Sequence, residues 1–243
     1  MRSKINGKCL MASFLQFISL LRKDAMLLLL CIAPLFAGIF FCYGIPYIEH
    51  IILEEFQFTI HLAPYYLLFD LLMATMTPLL YCFAAAYVIL GEIDEGISKY
   101  FAVTPLKKDG YLISRLGLPT IISFLVTIVI LHVFSLSRLS FRLIINISIL
   151  VSILGYMEAL LIVTLSGNKV EGMAVSKLSG LLMLGIPAPF FLKENEQYLL
   201  SFLPSYWLSK YTMEPSLILF LVGIIISLLW VKFLYNKFIK KIL

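Results

Sequence analysis

Charge is scarce in this chain. Asp, Glu, Lys and Arg make up 14% of its 243 residues, where a soluble domain carries roughly 25%, and the mean hydropathy of +1.00 sets it apart from water-soluble folds. Compact catalytic motifs are missing as well. No G-x-x-x-x-G-K-[ST] run is present, so the chain does not cradle a nucleoside triphosphate in the P-loop manner. No H-E-x-x-H occurs, and His50, His61 and His132 stand far apart with no evident metal partners, so no metal site is expected. No G-x-S-x-G nucleophile elbow is found. Cys9, Cys31, Cys42 and Cys82 are scattered, without a C-x-x-C pair, and read as small buried hydrophobes. No basic block is interleaved with aromatics in the way nucleic acid requires. The N-terminus does not read as a cleavable signal, because its basic region is long and further hydrophobic segments follow.

What remains is a set of long apolar blocks, several near the ~20 residues that cross a bilayer as a helix. They do not alternate over about 10-residue segments as a membrane barrel does. The expected fold class is therefore an all-α integral membrane protein. Six spans are expected, at about 25–43, 65–90, 111–136, 142–165, 177–192 and 215–235, together forming one transmembrane domain over 25–243. Pro34 and Pro78 fall inside the first two and should bend them. The fifth is short and interrupted by Gly180, Gly185, Pro187 and Pro189.

Residues 1–24 carry Arg2, Lys4, Lys8, Arg22 and Lys23, with Leu10, Met11, Phe14, Phe17, Ile18 and Leu21 at helical spacing and Ser13, Gln16 and Ser19 elsewhere on the wheel. That pattern predicts an amphipathic helix lying in the headgroup plane. The segment 194–211 is apolar and aromatic but broken by Pro204, and is read as an outer re-entrant piece with Pro204, Tyr206 and Trp207 near the headgroups. With six spans and both termini inside, 15 of the 19 Lys and Arg residues fall on the inner side. The positive-inside bias therefore places both ends in the cytoplasm and the chain in the cytoplasmic (inner) membrane as a multi-pass protein.

The polar stretch 91–110 lies between the second and third spans. Ile93, Ile97, Tyr100 and Phe101 fall on one helical face, with Glu92, Asp94, Glu95 and Lys99 on the others. Thr104 and Pro105 read as an N-cap and first helical residue of the next helix. Two readings fit: a docking helix with an acidic patch, or a solvated loop whose charges set topology. Glu92 and Glu95 are also placed to pair with Arg22 or Lys23.

The residues Glu92, Glu95, Gly96, Thr104, Pro105, Leu106, Tyr111, Leu112, Ser114 and Arg115, with the later stretches 168–177 and 203–210, resemble ABC-2 type permeases, the membrane subunits of ATP-binding-cassette exporters. The likeness extends to small bacterial permeases labelled as fluoroquinolone exporters. This resemblance implies a partnership with two separate ATP-binding subunits, which hold ATP and Mg, and with a second permease, identical or related. It further implies that Glu92, Ile93, Asp94, Glu95, Ile97, Tyr100, Phe101, Thr104 and Pro105 form the coupling element, and that Pro204, Tyr206 and Trp207 belong to an outer gate. No cofactor is expected in this chain and no covalent chemistry of its own, and its surroundings are membrane lipids. Two intramembrane carboxylates, Asp70 and Glu158, are candidate functional groups because such groups are costly in a bilayer. Other readings remain open: a membrane-embedded enzyme using Asp70 or Glu158, or a stand-alone channel or secondary transporter.

Overall fold

A computed structural model describes residues 7–55, 61–97 and 107–242, and all regular structure among them is helical. Helix α1 is Gly7–Lys23. Asp24 then caps α2, Ala25–Ile39, by accepting from the amides of Met26 (3.0 Å) and Leu27 (3.4 Å). A π turn at Phe40–Gly44 leads directly into α3, Ile45–Glu55. The first apolar helix therefore continues past the expected limit near residue 43. Next come α4, Tyr66–Asp94, and α5, Lys107–Leu112. A second π turn at Ile113–Gly117 joins α5 to α6, Leu118–Phe134. Helix α7 is Phe141–Leu165 and α8 is Lys169–Ser179, followed by a 3-10 stretch at Gly180–Gly185. Two short helices, α9 (Ala188–Phe191) and α10 (Glu194–Gln197), precede α11, Pro204–Met213, and α12, Leu217–Ile242.

Five helical stretches are long and apolar enough to cross a bilayer: Ala25–Glu54, Ala63–Asp94, Gly110–Phe134, Phe141–Leu165 and Leu217–Ile239. They match five of the six expected spans, and the chain is a multi-pass membrane protein. The expected span at 177–192 is not a single α-helix. Gly180 and Gly185 bound a 3-10 stretch, and Pro187 leads into α9, so the segment changes pitch twice. Its helical path also starts earlier, at Lys169. The amide of Lys169 donates to Asp94 at 3.1 Å, and the ring of Phe191 stacks on Tyr65 at 5.4 Å. The broken segment thus begins beside one end of α4 and finishes beside the other.

Helices α4 and α7 form the centre. In their most apolar windows 61% and 72% of residues are buried, against 17% in the first and last candidate spans. Gly155 of α7 permits the close approach: a Cβ there would lie 2.7 Å from the carbonyl oxygen of Pro78. Outer faces are greasy instead of polar. Ile121, Leu125, Val129 and Val133 make an exposed stripe on α6, and Leu217, Ile218, Leu221, Ile225 and Leu228 are exposed on α12. Such faces suit lipid contact and would be a liability in water.

Polar contacts sort the helix ends into two groups. At one end, the Lys241 ammonium donates to the carbonyls of Val163 (2.7 Å) and Thr164 (3.2 Å) and to that of Ser166, filling the carbonyl terminus of α7. Burial lowers its pKa, while nearby Glu171 pulls the other way. The Asp94–Lys169 contact lies with this group. At the opposite end, Asp70 binds the turn after α6, and Glu49 accepts from the amide of Leu62 (2.8 Å) and from the hydroxyl of Tyr66.

Candidate functional site

The base of the 91–110 stretch is built around one buried ion pair. Helix α4 does not stop at the end of its apolar run but carries Glu92 and Asp94 in its last turn. It ends at Asp94, and Gly96 follows the Glu95 cap with a φ of +70°, a left-handed conformation that glycine adopts without a Cβ penalty. Across the loop, the π turn Ile113–Gly117 buries three successive residues, Ser114, Arg115 and Leu116. A widened turn of this kind shifts side-chain direction locally, and such bulges recur at functional positions.

Arg115 is fully buried, and Glu92 is 4% exposed. The guanidinium donates through Nε to Glu92 Oε1 (3.0 Å) and Oε2 (3.2 Å), and through Nη2 to Oε1 at 2.6 Å. Its Nη1 donates to the backbone carbonyl of Ser13 at 2.6 Å. The Tyr111 hydroxyl donates to Glu92 Oε2 at 2.7 Å. Ser13 and Ser114 share a hydroxyl–hydroxyl bond of 2.9 Å, and the guanidinium lies 5.8 Å from the ring centres of Phe17 and of Tyr111. Planar charge delocalisation lets arginine make these in-plane bonds while resting near aromatic faces. One cluster therefore joins α1, the end of α4 and the start of the α5–α6 helix.

This arrangement corrects two expectations. Glu92 pairs with Arg115, not with Arg22 or Lys23, and is too buried to form part of a docking surface. Ser13 faces the core beside Phe17, while Met11 (58% exposed) and Leu15 (59%) point outward. Helix α1 is thus anchored by a small polar residue as well as by its apolar stripe. Of the other expected coupling residues, Ile93 packs partly buried against the core, Asp94 accepts from Lys169, Glu95 is exposed and Ile97 is half-buried. Tyr100, Phe101, Thr104 and Pro105 lie outside the described residues. Above the junction is a cavity of about 380 Å³ whose walls include Lys23, Asp24, Leu27, Glu92, Glu95 and Lys169.

The intramembrane carboxylates have different surroundings. Asp70 accepts from the amides of Leu136 (2.8 Å) and Ser137 (2.9 Å) and from the Ser137 hydroxyl, so it clasps the turn between α6 and α7. Glu158 is 7% exposed and receives one protein contact, from Ser179 Oγ at 2.6 Å to Oε1; its Oε2 has no hydrogen-bond partner among the described residues. It lines a cavity of about 440 Å³ between α2, α4, α7 and α8. Pro204 starts α11, as proline favours at a first helical position. Tyr206 is buried at 1% exposure rather than turned outward, and Trp207 is half-buried with its indole N–H donating to the Ser201 carbonyl at 2.6 Å. The hydroxyl of Ser205 donates to the carbonyl of Leu182, which fastens α11 to the 3-10 stretch. No three His, Cys, Asp or Glu side chains among the described residues gather closely enough to hold a metal ion.

Comparison with known proteins adds the family. The family described as "Fluoroquinolones export permease protein Rv2686c-like" matches residues 17–235. The chain belongs to this family. Two similar proteins are the fluoroquinolones export permease proteins MT2760 and Rv2686c, from two Mycobacterium tuberculosis strains, CDC 1551 / Oshkosh and ATCC 25618 / H37Rv. Each is 25% identical over 193 residues, covering 77% of this chain and 75% of the relative. No solved structure matches. This member of the export permease family therefore carries its buried Glu92–Arg115 pair, Asp70, Glu158 and α11 all within the matched region.

Sequence reasoning did not assign roles to Ser13, Tyr111, Ser114 and Arg115. One signal was available: Glu92 closes one apolar run and Arg115 opens the next, so opposite charges stand at similar depth on neighbouring helices. The π turn that turns Arg115 inward has no sequence signature of its own.

Proposed function

We propose that this chain is the membrane-spanning permease subunit of an ATP-binding-cassette exporter. It moves a hydrophobic or amphipathic substrate, in the class of drugs, peptides or lipids, out of the cytoplasm. ATP and Mg²⁺ are handled by two separate ATPase subunits, and a second permease, identical or related, completes the assembly. The observation that carries this reading is the buried junction at the base of the polar loop. Because Arg115 grips Glu92 and the Ser13 carbonyl together, force applied to the loop reaches α1, α4 and α6 at once.

Six crossings fit the helix paths. The run from Lys169 to Phe191 joins the two ends of α4, and at about 1.5–2 Å per residue it reaches the ~30 Å of a bilayer core. Both chain ends then lie on the cytoplasmic side with the loop, where the Lys and Arg residues concentrate. The names of the mycobacterial relatives support export of an aromatic drug-like molecule as one capability. The docking face is assigned to Glu95 and Ile97 with the chain that follows. Glu95→Lys combined with Ile97→Asp is expected to abolish co-purification of the ATPase while membrane insertion and monodispersity stay normal. Recovery of the complex at wild-type yield would remove the docking role.

A further inference from the structure

Glu158 is a buried acid with almost no protein partner. A carboxylate offers about four acceptor sites. The one hydroxyl near it, Ser179 Oγ, is also 2.7 Å from the carbonyl of Ser176, so its single proton is contested. No ion pair to Glu158 exists among the described residues. Lys177, on the wall of the same cavity, is exposed and makes none. Asp70, by contrast, is fully employed by the turn it clasps. A buried acid left so underused is expensive in a membrane protein unless something else completes its bonding.

The surroundings indicate what that is. The cavity of about 440 Å³ is within the size range of drug-sized sites. Its walls include Met26, Met76 and Met173, with Leu30, Leu80 and Phe83. Methionine side chains are flexible and polarisable, and they accommodate varied apolar shapes. Met26, Met76 and Met173 are each about two-fifths exposed, so the wall is open to an incoming molecule rather than sealed.

We propose that this cavity binds the exporter's cargo and that the cargo is a lipophilic amine: an apolar body held by the methionines and Phe83, with a protonated nitrogen donating to Glu158. This names the substrate class of the exporter proposed above and rests on that reading for the word cargo. The binding itself is independent of ATP. Neutral molecules of the same shape gain at most an uncharged hydrogen bond from the carboxylate, and anionic ones are repelled by it, so both are discriminated against.

The test uses the full chain in lipid nanodiscs, without ATPase, and three fluorescent probes of matched size: a dansylated alkyl tertiary amine, its neutral amide isostere and its carboxylate analogue. The amine is expected to bind about tenfold or more tightly than the other two, and Glu158→Gln to erase that preference while neutral-probe binding stays unchanged. Ser176→Trp, which fills the cavity while leaving the carboxyl group in place, is expected to weaken all three probes. Equal affinity of the three probes for the wild-type chain overturns the proposal, as does amine binding that survives both variants. If Glu158→Gln does not fold, the wild-type probe comparison and Ser176→Trp still decide. Failure here together with intact ATPase co-purification removes this site and leaves the exporter; success here without any ATPase partner does the reverse.

Discussion

Arg115 and Glu92 form the most deeply buried ion pair among the described residues. A buried ion pair does not by itself make a fold more stable, because desolvation offsets the attraction, but a single broken partner leaves an uncompensated charge. Arg115→Met alone is therefore expected to lower stability by about 3–5 kcal/mol. The double variant with Glu92→Leu should recover much of that loss, because no lone charge remains. Thermal unfolding of the two singles and the double in one detergent checks it; additive losses would mean that the pair is not coupled. Arg115→Lys is not a conservative change, since an ammonium cannot bind the carboxylate through two nitrogens while also reaching the Ser13 carbonyl. At this scale the sequence was partly legible. Glu92, Asp70 and Glu158 stand out as carboxylates beside or within apolar runs. Their fates do not: one pairs with arginine, one clasps a turn, and one is left underused, and each outcome depends on chain that is distant in sequence.

The helices show where local pattern suffices and where it fails. Apolar length alone locates five of the crossings, because a bilayer demands an unbroken hydrogen-bonded backbone of known length, although the first helix runs on to Glu54, past its expected end near residue 43. The glycines and prolines of 180–189 mark a break correctly but conceal that the path begins at Lys169. The polar Asn168–Lys169–Glu171 start looks like loop. It is a helix start instead, with Asn168 accepting from the amide of Glu171 at 2.9 Å as its cap. Packing between helices was the least visible. Gly155 is one glycine among thirteen, and only the structure shows the Pro78 carbonyl pressed against it. Gly155→Leu should force α4 and α7 apart and reduce the yield of folded protein several-fold, whereas Gly180→Leu, where a Cβ meets nothing within 4 Å, should be tolerated. Size-exclusion profiles of fluorescent fusions compare the two; equal profiles would contradict the assigned central pair.

For the whole molecule, the proposed exporter role would link the Glu92–Arg115 junction, the lipid-facing helices and the methionine-walled cavity. The path between them is short: Leu80 and Phe83 of the cavity wall stand on α4, the same helix that carries Glu92 in its last turn. In the proposed exporter, a push on the loop would reach the helix that lines the Glu158 cavity. The most direct measurement purifies the tagged chain from its native membrane in mild detergent, identifies co-purifying proteins by mass spectrometry, and assays ATP hydrolysis with and without lipophilic amines. The account predicts an ATP-binding-cassette ATPase in near-stoichiometric amount, with hydrolysis stimulated by the amine. A chain that purifies without any ATPase, yet still transports the amine in liposomes lacking ATP, would contradict it.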